Sequence, residues 1–193
     1  MIDINDYDLF YEPKKTIVIV SGYFDPLNGQ GHIDLLKAAK NLRQNVHLIV
    51  GINSDEACYR KKGQPAFMRW DDKAKIIREL KCVDEVCNFD DSDGTACLLI
   101  SYIYNFYKIS IENGTIDIVF ANGGDRRPDG TPIPEEKWCR EQGLNIEFAY
   151  GVGGTEKNGS SSDYLRNWFN NTIDRYRTNL KSECDSFILK DKY

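Results

Sequence analysis

Residues 16–21, Thr-Ile-Val-Ile-Val-Ser, form an unbroken β-branched run with no polar alternation. A run of this kind suits a strand covered on both faces, the environment of a parallel sheet flanked by helices. A glycine-bearing turn follows, and then Gly31-His32 opens a segment with Ile33, Leu36, Ala39 and Leu42 at helical spacing. The order is therefore strand, turn, helix. That order aims backbone N–H groups and the positive end of a helix dipole at one point, a place suited to phosphate. A histidine at the same point can donate to phosphate oxygens.

The rest of the chain continues the alternation. Strands are expected at 46–52, 83–89, 116–120 and 145–150. Helices are expected at about 31–42, 70–80, 95–107 and 134–142, and from near 161 toward 180. The segment 53–63, with Arg60-Lys61-Lys62-Gly63, is expected as a loop, and 151–162 as a Gly/Ser-rich loop. Strands alternating with helices predict a Rossmann-like α/β fold: a doubly wound, parallel five-stranded sheet with helices on both faces. One domain is expected at 16–180, with an N-terminal extension at 1–15 and an irregular tail at 181–193. The informative loops all follow strands, so they gather on the carboxyl edge of the sheet.

Composition narrows the function. The net charge of −5 argues against a large nucleic-acid surface, which needs clustered Lys and Arg. Local basic clusters at Arg60-Lys61-Lys62 and Arg126-Arg127 suit a small anion better. No apolar run approaches the ~20 residues of a membrane helix, and the first residues lack the basic and apolar parts of a signal peptide, so a cytoplasmic location is expected. Six cysteines contain no CxxC pair and there are only two histidines, so no zinc site is expected. Cys82 and Cys87 read as reduced, buried thiols. His47, among apolar neighbours, reads as structural. Trp168, Phe169 and Tyr176 read as packing residues rather than a stacking platform for bases.

Gly22-Tyr23-Phe24-Asp25-Pro26-Leu27 with Gly31-His32 resembles the G-x-F-D-x-x-H-x-G-H signature of the cytidylyltransferase-like nucleotidyltransferases. The resemblance continues in order through Val50-Gly51-Ile52-Asn53-Ser54-Asp55-Glu56, Arg60-Lys61-Lys62-Gly63 and Val83-Asp84-Glu85-Val86. It ends with Phe120-Ala121-Asn122-Gly123-Gly124-Asp125-Arg126 and Ser160-Ser161-Ser162, covering roughly residues 16–170.

The resemblance implies transfer of CMP or AMP from CTP or ATP to a phosphorylated small molecule, such as a sugar or polyol phosphate, with release of pyrophosphate. The attacking group is already anionic, so alignment and charge neutralisation matter more than a general base. His32 would donate to the triphosphate, with Gly22, Tyr23, Phe24, Asp25 and Gly31 shaping the nucleotide loop. Lys61 and Lys62 would neutralise phosphates, the alternative being a solvated pair. Gly63 suggests a loop able to close over substrate. Lys73 stands where the family often has a triphosphate-contacting Arg. Asn122, Gly123, Gly124 and Asp125 would approach base or ribose, with turn capping as the other reading of Asp125. Arg126 and Lys157 would meet the acceptor, Arg126 reading equally as a surface arginine. Ser160, Ser161 and Ser162 would bind phosphate, cap a helix, or divide the two tasks. Asp25 would orient Lys61 or help hold Mg2+, which is expected mainly on the nucleotide phosphates. A homodimer is also implied.

The signature departs from the family in one place. Leu27-Asn28-Gly29-Gln30-Gly31-His32 is one residue longer than the family's pattern. Counted from Asp25, Asn28 stands where the first histidine belongs; counted back from His32, Gly29 does. Asn28 can still donate a hydrogen bond, without the positive charge, and Gln30 is the other candidate to replace the histidine. The departure supports a rival reading, a nucleotide-binding module that senses or scaffolds without turnover. A third reading is the related branch acting on nicotinamide mononucleotide or phosphopantetheine. The Gly123-Gly124-Asp125 segment looks more like the sugar-phosphate adenylyltransferase branch than the glycerol-phosphate cytidylyltransferase branch.

Overall fold

The computed structural model describes residues 14–124, 133–154 and 160–190, with side chains to 181. Its elements are β1 (Lys15–Gly22), a wide helical turn (Gly29–Ile33), α1 (Asp34–Lys40), β2 (Val46–Ile52), α2 (Asp55–Lys62) and α3 (Trp70–Arg78). Then come β3 (Glu85–Cys87), α4 (Cys97–Glu112), β4 (Ile116–Gly123), α5 (Pro134–Glu141), β5 (Glu147–Val152) and α6 (Ser161–Lys190). Contacts group the chain into two units, Met1–Lys157 and Asn158–Tyr193.

The first unit holds a five-stranded sheet in the order β3-β2-β1-β4-β5, with every pairing parallel. The uninterrupted apolar run of β1 has a direct cause. Val18 and Val20 point to one face, where Leu36 and Ala39 of α1 and Ala74 and Ile77 of α3 complete a core. Ile17 and Ile19 point to the other face and meet Leu99, Ile100 and Ile103 of α4 and Cys139 of α5. Both faces are dry, so neither parity of the strand tolerates a polar residue. Strand order reverses between β1 and β4, which makes their carboxyl ends the crevice where such sheets take ligands.

Several boundaries differ from the sequence reading, each for a local reason. α2 occupies the segment read as a loop. Ser54 caps it, its side chain accepting from Ala57 N at 3.0 Å, and Gly63 ends it in the left-handed region at φ 69°. Only Ala57 and Cys58 of α2 are buried, so no apolar period advertises the helix. β3 is shorter than expected because Asp84 leaves the strand. Its carboxylate accepts from Leu48 N at 2.7 Å and pairs with Lys40, tying α1 to β2. β5 starts later than expected and is paired to β4 through an irregularity between Ala121 and Gly123. His47 lies 3.5 Å from Glu85 across the β2–β3 pair.

In the second unit, α6 runs on to Lys190 where an end near 180 and an irregular tail were expected. Residues 181–190 contain neither Pro nor Gly, so nothing in the chain stops the helix. The N-terminal residues 1–13 and Cys184 lie outside the described residues and side chains. Cys58, Cys97 and Cys139 are buried free thiols, and Cys82 and Cys87 are half-buried ones. Burial pushes the Cys87 thiol up to about 11. Among the described residues, no helix is long and apolar enough to cross a membrane.

Candidate active site

The site begins where β1 ends. Phe24 takes a left-handed backbone conformation, φ 50°, with its ring 1% exposed in the core below the turn. Such a conformation in a bulky residue stores strain and recurs at functional turns. It delivers Asp25 inward, to 2% exposure. Asp25 Oδ1 accepts from Met68 N at 2.8 Å. Its Oδ2 accepts from Phe67 N at 3.0 Å and from the Cys58 thiol at 3.4 Å. Lys62 donates to the Asp25 carbonyl at 2.6 Å and stands 3.4 Å from its carboxylate. Burial alone would raise the Asp25 carboxyl. The N–H groups of Met68 and Phe67, the Cys58 thiol and the Lys62 ammonium outweigh it and hold the carboxyl below its ordinary value. Asp25 thus binds the end of α2 and the segment before α3 to the β1 loop, and its lysine is Lys62. Lys61 is exposed on α2.

The extra residue of the signature is absorbed in the turn Gly29–Ile33. Ile33 N–H reaches back five residues to the Asn28 carbonyl at 3.2 Å, and Asp34 N–H reaches Gly29 O. A wide turn of this sort adds one residue without turning the rest of the helix by the ~100° that an insertion into a regular helix causes. Leu36 and Ala39 therefore still face the core. Asn28 is the cap: its Oδ1 accepts from Gly31 N at 2.8 Å and His32 N at 3.2 Å. Those two N–H groups, expected to face phosphate, are engaged by the chain itself. Asn28 N–H donates to His32 Nδ1 at 3.3 Å. The His32 ring meets Phe24 edge-on with centroids 5.0 Å apart. Burial, then the charge of Lys62, pushes His32 down to about 4, with Asp25 pulling partly back, so the imidazole is neutral at neutral pH. A neutral ring whose Nδ1 accepts carries its proton on Nε2 and can donate from there.

Lys73 is sealed. Its side chain is 0% exposed and its ammonium lies 3.2 Å from Asp55, at the start of α2. Asp55 also accepts from Trp70 N at 3.0 Å, so it fastens α3 to α2. Sequence reasoning assigned no role to Asp55 or to Asp91. Asp91 is 3% exposed and accepts from Ser54 N at 2.8 Å, Ser54 Oγ at 2.7 Å and Asn53 Nδ2 at 3.0 Å. Arg60 donates to its carbonyl at 2.7 Å. The signal was present as Asn53-Ser54-Asp55-Glu56, a helix start. Asp91 is one of three aspartates in Asp90-Asp91-Ser92-Asp93, and nothing in that run marks it out.

At the end of β4, Asn122 is 4% exposed and its Nδ2 has no hydrogen-bond partner among the described residues. Gly123 and Gly124 follow, half-buried. After β5, Gly153 sits at φ 86° where an added Cβ would lie 2.8 Å from Leu35 Cα, so this loop rests on the start of α1. Asp125, Arg126 and Lys157 lie outside the described residues. In the second unit, Ser160 Oγ accepts from Asp163 N at 3.1 Å and donates to its carboxylate at 2.7 Å, which makes Ser160 the cap of α6. Ser161 and Ser162 form its first turn.

A parallel sheet of this order, with a capped turn, a histidine, a lysine and a buried carboxamide near the carboxyl ends of its strands, defines a doubly wound nucleotide-fold protein. The cytidylyltransferase-like family model matches residues 19–129, and the chain belongs to that family. The FAD synthase of Pyrococcus abyssi (strain GE5 / Orsay) is 41% identical over 73 residues, 38% of this chain and 47% of that protein. The FAD synthase of Thermococcus onnurineus (strain NA1) is 39% identical over 136 residues, 70% of this chain and 79% of that one. A probable choline-phosphate cytidylyltransferase of Schizosaccharomyces pombe is 40% identical over 75 residues, 39% of this chain and 20% of that one. The chain thus spans about half the length of the first of these relatives and a fifth of the third.

Proposed function

We propose that the chain is a nucleotidyltransferase that takes CTP or ATP and a phosphorylated small molecule as substrates. An acceptor phosphate oxygen bonds to the α-phosphorus, the bond from that phosphorus to the β-phosphate bridging oxygen breaks, and pyrophosphate leaves with the electron pair. The carrying observation is that His32 and Lys62 gather around Asp25 beside the end of β1: a neutral imidazole that burial and the Lys62 charge hold down, and an ammonium 3.4 Å from the Asp25 carboxylate. Both are donors suited to charge developing on phosphorus and on the leaving group. Family membership and the names of the relatives support the reaction class. Asn122, a buried donor with no partner among the described residues, supports a base or ribose contact at the end of β4. A sugar or polyol phosphate is the acceptor class we favour, with Arg126 and Lys157 as candidates to hold it.

Mg2+ is proposed to arrive on the nucleotide phosphates. Asp25 does not fit a metal ligand, because both carboxylate oxygens already accept hydrogen bonds within a closed pocket. Charge neutralisation in the protein then falls to Lys62, with neutral His32 contributing a hydrogen bond from Nε2.

The test is pyrophosphate release from CTP and from ATP, each against sugar phosphates, polyol phosphates, choline phosphate and a flavin phosphate. Turnover with one pair is expected. Nucleotide binding without release across the whole panel would instead establish the sensing reading that the cap on Gly31 and His32 favours. His32→Ala is expected to lower turnover by about a hundredfold or more with the fold intact. Unchanged turnover removes His32 from the site.

A further inference from the structure

We propose that Asn28 is a positioning residue: its carboxamide closes the wide turn that holds His32 with its proton on Nε2, so one oriented histidine acts where the signature leads one to expect two. The catalytic half of this inference rests on the nucleotidyl-transfer reading; the geometric half does not.

Three observations carry it. The Asn28 side chain accepts from both Gly31 N and His32 N, so one oxygen sets the pitch of the turn. The Asn28 backbone N–H donates to His32 Nδ1, so the same residue selects the ring nitrogen that keeps the proton. Asn28 itself is extended, φ −134° and ψ 161°, the cap conformation that makes both bonds reachable at once. An added residue should loosen a loop of this kind; here the carboxamide takes up the slack. Asn28 is thus engaged with the turn, and it serves the histidine instead of standing in for one. Gln30, at an exposed position of the same turn, makes no such tie among the described residues. The charged groups acting on the ring are Lys62 and Asp25.

A histidine held in one tautomer delivers its donor at a fixed angle, and misplacement by ~1 Å is enough to cost on the order of a hundredfold in rate. Alanine at position 28 keeps the backbone N–H and loses the oxygen that shapes the turn. Serine and aspartate keep a capping oxygen.

The experiment reads His32 directly by long-range proton–nitrogen NMR on the nucleotide-free protein, alongside kcat and KM for the nucleotide. Wild type is expected to show a single Nε2–H tautomer resisting protonation. Asn28→Ala should show mixed tautomers and a pKa moved up toward 6.5, with kcat down on the order of 10- to 100-fold and KM little changed. Asn28→Ser should restore most of the tautomer signal and of kcat, which a general loss of stability does not predict. Gln30→Ala should leave the spectrum as in wild type. A single Nε2–H tautomer in Asn28→Ala, with kcat within twofold of wild type, overturns the inference. So does a failure of serine to restore either readout. Absence of turnover in the wild type overturns the transfer reading alone, and the NMR spectra then decide the geometry by themselves.

Discussion

Two lysine–aspartate pairs fasten α2 to its surroundings, and they are built in opposite senses. Lys62 and Asp25 stand 3.4 Å apart with side-chain exposures of 18% and 1%. Lys73 and Asp55 stand 3.2 Å apart with exposures of 0% and 36%. The first pair buries its carboxylate and leaves the ammonium at the surface; the second buries its ammonium and leaves the carboxylate there. Distance alone makes them equivalent. Under the proposed function, burial makes Lys62 the one of these two lysines able to meet a polyanion, while Lys73 works inward, between α2 and α3.

The strongest way to break this contrast is to remove the buried carboxylate. Asp25→Asn keeps one acceptor oxygen, places an N–H donor against either the Phe67 or the Met68 N–H group, and leaves Lys62 without its counter-charge. A buried pair broken on one side costs about 3–5 kcal/mol. Urea unfolding should show a loss of that order, together with loss of turnover. A variant as stable as wild type shows that Asp25 is not the anchor of the loop.

Lys62→Met comes next. This breaks the same pair and so also costs stability, less than the full penalty because Asp25 keeps two backbone donors, and turnover should fall about a hundredfold. Should turnover survive in Lys62→Met and fall in Lys61→Met, the roles of the two lysines are reversed.

The pH dependence is a smaller effect with a definite sign. His32 is held at about 4 in the folded chain against about 6.5 when unfolded. Between those values the unfolded chain binds a proton that the folded chain refuses. Stability is therefore full above pH ~6.5 and falls as pH drops toward 4, by roughly 2 kcal/mol for a ring still in partial contact with water. The Asp25 contribution fades only below the ordinary carboxylate range, because its folded value is lowered. Stability measured from pH 8 to 4 in wild type and in His32→Phe separates the two: the slope between 6.5 and 4 should vanish in the variant. An identical slope in both proteins places the titrating group elsewhere.

The sheet was legible because its physics is local. Val18 and Val20 serve one face and Ile17 and Ile19 the other, so an unbroken run means a two-sided strand. Alternation along the chain did the rest. What stayed hidden depended on partners distant in sequence or on a count off by one. α2 lacks an apolar period because its contacts are polar: Ser54 to Asp91, Lys62 to Asp25 and Asp55 to Lys73. No periodicity reports such ties. The extra residue of the signature was visible as a count, but a sequence cannot say whether a surplus residue becomes a bulge in the loop or a wider helical turn. The fold of Asn28 over Gly31 and His32 answers that. Asp25 was singled out as a site residue, yet that its partner is Lys62 and not Lys61 depends on which face of α2 turns inward.

The smallest expected effect is the most pointed test of the contrast. Lys73→Met replaces a sealed ammonium with an apolar side chain of similar length. The partner left behind, Asp55, is partly exposed and still accepts from Trp70 N, so it is not stranded. Apolar replacement inside a buried ion pair is often near neutral when the remaining charge can reach water. Stability should change by no more than about 1 kcal/mol, and turnover should stay within about threefold of wild type. A hundredfold fall in turnover with stability unchanged would mean that Lys73 reaches substrate by a rearrangement of α3. In that case the exposure of an ammonium does not tell a phosphate ligand from a structural tie.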